Sequence, residues 1–147
     1  MTKKRIIFLC TGNSCRSQMA EGMMRHLFGD NYVVYSAGTH PQGINPRAVI
    51  VMAELGIDIA NQASQSVQEF QTFEFNNVVT VCDNAKEACP VFWNTETLVH
   101  WSFEDPADAT GSEEEILSHF RRIRDQIYQK ISGHFTEVLS GITLTVR

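Results

Sequence analysis

Short runs of β-branched and aromatic residues alternate along this chain with longer stretches whose apolar residues recur every three or four positions. That alternation is the feature that most restricts the fold. Residues 5–9 are a short, almost wholly apolar run, which reads as a buried strand. From Ser17 onward, Met19, Met23 and Leu27 recur beside Ala20, Met24 and Phe28 at helical spacing, and Gly29 ends the pattern. Residues 32–35 predict a second strand, closed by Ala37 and Gly38. Asn45 and Pro46 supply an N-cap and a first-turn proline ahead of Val49, Met52, Ala53 and Leu55, with Gly56 as the stop. Residues 78–81 and 97–101 predict a third and a fourth strand. Ser112 and Glu115 form a capping-box pair before Ile116, Phe120, Ile123, Ile127 and Ile131, which line one face of a long last helix. Strands alternating with amphipathic helices imply an α/β domain around a parallel sheet. No repeat or linker interrupts residues 1–147, so one domain is expected.

In such sheets ligands bind beyond the carboxyl ends of the strands. Cys10 and Cys82 each stand at such an end, so two residues distant in sequence become neighbours if their strands are adjacent. A formal charge of −5 argues against nucleic acid as a partner but leaves room for a local oxyanion site. The apolar run after Lys3, Lys4 and Arg5 ends at Cys10, too short for a signal peptide, and no run approaches the roughly 18 apolar residues of a membrane span. A cytoplasmic protein with no membrane association is expected. In that compartment four cysteines point to redox or metal chemistry rather than to structural disulfides.

The segment Cys10-Thr11-Gly12-Asn13-Ser14-Cys15-Arg16-Ser17 is a C-x5-R-S sequence between a predicted strand and a predicted helix. A nucleophilic cysteine acts as its thiolate, which a helix N-terminus and a guanidinium both favour. Successive backbone N–H groups entering a helix make an anion-binding nest, and arginine adds two parallel hydrogen bonds to a tetrahedral oxyanion. Gly12 is expected to supply conformational freedom, Ser17 a hydrogen bond to the Cys10 sulfur, and Asn13 side-chain bonds that hold the loop. No Gly-Lys-Ser/Thr follows, which removes Walker-type nucleotide binding.

These residues resemble the low-molecular-weight protein tyrosine phosphatase superfamily, and within it the thioredoxin-coupled arsenate reductases. The likeness is carried by CTGNSCRSQMAEG at Cys10–Gly22, by Tyr35-Ser36-Ala37-Gly38, by Asn45-Pro46 and by His100-Trp101. It implies a four-stranded parallel sheet flanked by helices, with Cys10 as nucleophile and Arg16 clamping arsenate. It also implies that Asp105, in Asp105-Pro106, is a general acid, where spacing alone reads equally as a turn.

Cys82-x6-Cys89 separates reductase from phosphatase. A phosphatase lets water attack its cysteine adduct, whereas a reductase must deliver two electrons. Cys82 attacking Cys10 releases arsenite, and Cys89 attacking Cys82 frees Cys10 by thiol–disulfide exchange. The polar residues 83–88 are expected to form a mobile segment that carries the disulfide outward. The resemblance implies thioredoxin as donor, while thiol chemistry alone leaves a glutaredoxin open.

Phosphatase activity on aryl phosphates is the alternative reading. A zinc module using Cys10, Cys15, Cys82 and Cys89 is remote, because structural zinc sites take tighter cysteine pairs and the five histidines show no ligand spacing. No catalytic role is assigned to Cys15. No bound cofactor and no metal are expected. Some reductases of this kind hold potassium with residues matching Asn13, Glu21 and Ser36, but Gln65 stands where their further carboxylate would be, which weakens a hard-cation site. Phe73, Phe75, Phe92 and Trp93 are assigned to the core before any binding surface.

Overall fold

A computed structural model describes residues 3–83 and 95–141. Four strands, β1 (Lys4–Cys10), β2 (Tyr32–Gly38), β3 (Phe75–Thr80) and β4 (Thr95–His100), make one sheet in the order β2-β1-β3-β4. Every pairing is parallel. Three helices, α1 (Arg16–Phe28), α2 (Pro46–Ala53) and α3 (Glu113–Ser140), complete the expected α/β architecture.

Alternation along β1 sorts the two faces. Ile6 and Phe8 pack with Met19, Met23 and Met24 of α1, Val51 and Met52 of α2, and Phe120, Ile123 and Ile127 of α3. Ile7 and Leu9 point the other way, into a smaller cluster with Val78, Phe70 and Phe75 under a 3-10 helix at Val67–Phe70. Each fully buried large side chain contributes roughly 1.5–3 kcal/mol, and the helical face holds most of them.

The local stop and start signals act as read. Asn45 caps α2 by accepting from Arg47 N, with Pro46 in the first turn. Ser112 and Glu115 make a reciprocal capping box at α3. Phe73 and Phe75 belong to an aromatic cluster with Tyr35 and Phe70, so both are packing residues; Phe92 and Trp93 lie outside the described residues. β3 starts three residues earlier than its apolar run, because Asn76 and Asn77 join the ladder beside Thr97. No described helix is long and apolar enough to cross a membrane.

Candidate active site

β1 and β3 are neighbours, and the chain leaves β1 towards β2 on one side before crossing to β3 on the other. That divergence opens a crevice at the carboxyl edge. The ladder runs on past β3, Val81 N donating to Leu9 O at 2.9 Å, which brings Val81 opposite Cys10 and Cys82 one residue further along the same edge, in the same buried cluster as Cys10. Cys10 and Cys15 carry free thiols, whereas Cys82 is disulfide-bonded. Cys89 lies outside the described residues, as do residues 84–88 of the expected mobile segment.

Residues 10–17 wrap a cavity of about 250 Å³ lined by Cys10, Gly12, Ser14, Arg16, Gln42 and Asp105. Asn13, not Gly12, is the left-handed residue, with φ 46°. The freedom expected of Gly12 is therefore exercised one position later, by a residue type that tolerates this region. A Cβ at Gly12 would lie 3.2 Å from Gln42 Oε1, the end of an exposed side chain that can give way. The turn at Asn13 aims its N–H at Cys10 Sγ, 3.2 Å away.

Ser17 Oγ lies 2.9 Å from Cys10 Sγ. Asn13 braces that serine. Its Oδ1 accepts from Gln65 N at 2.8 Å, and a backbone N–H can only donate, so the amide orientation is decided. Nδ2 then donates to Ser17 Oγ at 2.7 Å and to Ser36 Oγ at 2.9 Å. Ser17 keeps its own hydrogen and a second lone pair for the sulfur, so towards a Cys10 thiolate the hydroxyl is the donor. Ser36 turns its own hydrogen to Glu21 Oε1, 2.5 Å away.

Arg16 is held in place by a bond from Nη1 to Phe103 O at 3.2 Å, and its Nη2 stands 3.5 Å from Asp105 Oδ2. Asp105 has two attachments: Oδ1 accepts from Ala107 N at 3.0 Å, capping a 3-10 helix at Pro106–Asp108, while Oδ2 faces the cavity. The turn reading and the site reading of Asp105-Pro106 thus coexist. Cys15 occupies the N-cap of α1 without a side-chain cap bond. Burial pushes its thiol up to about 12, against the lowering effect of Ser14 and Arg16.

Sequence reading missed Gln18, Gln42 and Arg25. Gln18 Nε2 donates to Asn13 O and Ala63 O, pinning the loop from α1. Helical spacing from Gln18 to Glu21 and Arg25 was the available signal, since both first residues sit among the buried positions of α1. Among the described residues no group of three His, Cys, Asp or Glu side chains gathers as metal ligands.

With a thiol at the end of the first strand of a 2-1-3-4 parallel sheet, residues 5–141 match the family model for low molecular weight phosphotyrosine protein phosphatase. The chain belongs to that family. It is 49% identical to an arsenate reductase of Halalkalibacterium halodurans over 131 residues, which is 89% of this chain and 94% of that protein. An arsenate reductase of Bacillus subtilis is 47% identical over the same shares. A solved arsenate reductase in its phosphate-binding state superposes with a TM-score of 0.77 at 30% identity, covering 95% of this chain and 99% of that one.

Proposed function

We propose that this member of the phosphatase family reduces arsenate to arsenite. The observation that carries the reading is a second buried sulfur, Cys82, one residue beyond the position opposite Cys10 at the carboxyl edge of adjacent strands, in the same cluster as Cys10. A hydrolase has no use for a second sulfur there. The Cys10 thiolate attacks arsenic(V), the nest at residues 11–17 and Arg16 take the oxyanion, and Asp105 delivers a proton so that water leaves. Cys82 thiolate then attacks Cys10 Sγ. The new S–S bond forms as the As–S bond breaks, and its electron pair stays on arsenic as arsenite. Cys89 attacks Cys82, releasing Cys10 as thiolate and leaving the Cys82–Cys89 disulfide for an external dithiol, thioredoxin in our reading. A free Cys10 next to a disulfide-bonded Cys82 supports this as the end-of-cycle form.

The second reading, an aryl phosphatase, is favoured by the shared loop alone. The described residues beyond Asp105 that line the cavity are Ala107 and Asp108, and among the described residues no aromatic side chain lines it to stack on an aryl group. Arsenate-dependent NADPH oxidation with thioredoxin and thioredoxin reductase tests the proposal. Turnover abolished by Cys82→Ser and by Cys89→Ser, with aryl-phosphate hydrolysis surviving, is the expected result. Absence of turnover with thioredoxin and with glutaredoxin leaves the phosphatase.

A further inference from the structure

The hydrogen-bond chain behind the oxyanion loop ends on a cation that belongs to the protein. Glu21 is buried, and both its oxygens are taken: Oε1 by the Ser36 hydroxyl, Oε2 by Arg25 Nη2 at 2.6 Å. Arg25 is anchored on two further sides, to Val34 O at 2.9 Å and Gln62 Oε1 at 3.1 Å, although half its side chain is exposed. The residues that would hold potassium do not fit that role here. Asn13 Oδ1 already accepts from Gln65 N and Gln18 Nε2, Ser36 Oγ lies between Asn13 and Glu21, and residue 65 is a neutral amide.

We propose that Arg25 is a positioning residue that takes the place of a metal ion: its guanidinium keeps Glu21 as the accepting end of a hydrogen-bond chain that reaches Cys10 through Ser36, Asn13 and Ser17. The proposal rests on the reading of Cys10 as nucleophile, but not on arsenate reduction. The polarity of the chain explains the need for a cation. Asn13 Nδ2 donates in both directions, to Ser17 and to Ser36, which leaves each serine hydrogen for the group beyond it: Cys10 Sγ at one end, Glu21 Oε1 at the other. With Arg25 gone, Glu21 has two outcomes. It stays charged and adds an uncompensated negative charge to a chain ending on a thiolate, or it takes a proton and ceases to hold the Ser36 hydrogen. Both disfavour the Cys10 thiolate. Arg16, Asp105 and Asp108, the other described charged groups that line the cavity with Cys10, and the Cys15 thiol beside them are untouched. An ordinary i,i+4 surface pair would add a few tenths of a kcal/mol to helix stability and leave the thiol alone.

The test is the pH profile of Cys10 alkylation by iodoacetamide, read by peptide mass in tetramethylammonium salts with and without potassium chloride at equal ionic strength. Expected are a wild-type profile indifferent to potassium, and a profile moved to higher pH by about half to one unit in Arg25→Gln, a roughly three- to tenfold slower reaction at neutral pH. Arg25→Lys, which keeps the charge, restores most of the rate. Circular dichroism and urea midpoints establish that each variant is folded. A folded Arg25→Gln with the wild-type profile overturns the proposal, as does acceleration of the wild type by potassium. Alkylation requires no arsenate, so failure of the reductase assay leaves this result standing on its own.

Discussion

Replacing Gly38 with alanine would place a Cβ 2.4 Å from Thr11 O, 2.9 Å from Asn13 N and 3.0 Å from Cys10 O. All three are backbone atoms of the oxyanion loop, so no flexible side chain can swing aside. The loop would have to retreat by nearly 1 Å to reach ordinary contact. Thr11 O accepts from His40 N at 2.9 Å, and Gly38 N itself donates to Gln65 O at 2.9 Å, so retreat strains bonds on both sides of the strand end. Overpacking costs about 1–3 kcal/mol and a weakened hydrogen bond about 1 kcal/mol more, giving a destabilisation of roughly 3 kcal/mol. Urea unfolding measures it, and protection of Cys10 from iodoacetamide by inorganic phosphate measures the integrity of the nest; both should fall. The same chemical change at Gly133 has the opposite sign. That glycine is exposed in the interior of α3, and a Cβ there meets nothing within 4 Å, so Gly133→Ala should stabilise by about 0.5–1 kcal/mol. A Gly38→Ala variant within about 0.5 kcal/mol of wild type, with phosphate protection intact, would refute the claim that the strand end sets the shape of the loop.

Ser17→Ala removes the hydroxyl that faces Cys10 Sγ; a bond to a charged group is worth about 1.5–3 kcal/mol, so alkylation at neutral pH should slow at least tenfold. Asp105→Asn preserves the cap on Ala107 N but cannot deliver a proton, so turnover should drop by about two to four orders of magnitude with an unchanged urea midpoint. A comparable loss of stability would mean that Asp105 serves the turn alone. Cys15, its thiol pushed up to about 12 by burial, stays protonated at neutral pH; peptide mapping after mild alkylation should find label on Cys10 and none on Cys15. His134 is packed against Trp101 and Phe135, and this burial, reinforced by Lys130, holds its imidazole below the usual range. A lowered folded value means that the unfolded chain takes up the proton first. The stability His134 contributes is therefore complete above about pH 6.5 and is lost as pH falls through the folded value, a slope that His134→Gln should flatten in urea titrations.

Legibility followed the range of the interactions. Asn45-Pro46 and Ser112-Glu115 were readable because a cap acts within three residues. The nest was readable because Cys10 to Ser17 are contiguous and the strand before them and the helix after them announce themselves by period. β3 was cut short because Asn76 and Asn77 break the apolar run, yet they pair: Asn77 stands opposite Ile6 in the parallel ladder, and Asn76 Oδ1 accepts from Arg5 N. Period reports burial, and a polar strand end that earns its place through hydrogen bonds leaves no trace in it. The same reason hid the back of the site. Gln18, Arg25, Ser64 and Gln62 reach the loop or its support from α1 and from residues some forty positions away; Gln18 and Arg25 share only the helical spacing of α1, and Ser64 and Gln62 belong to no local pattern. The exchange of roles between Gly12 and Asn13 has a different cause. Glycine advertises freedom in any sequence, but Asn13 is locked in the left-handed region by four partners on its side chain, Ser17, Ser36, Gln18 and Gln65 N. An asparagine held on every polar atom can occupy a conformation that an unsupported one would leave, and it brings the two hydrogens that orient the serines on either side. Glycine at position 13 would relieve the backbone and silence the chain to Cys10, which is why the less permissive residue stands where the turn is tightest.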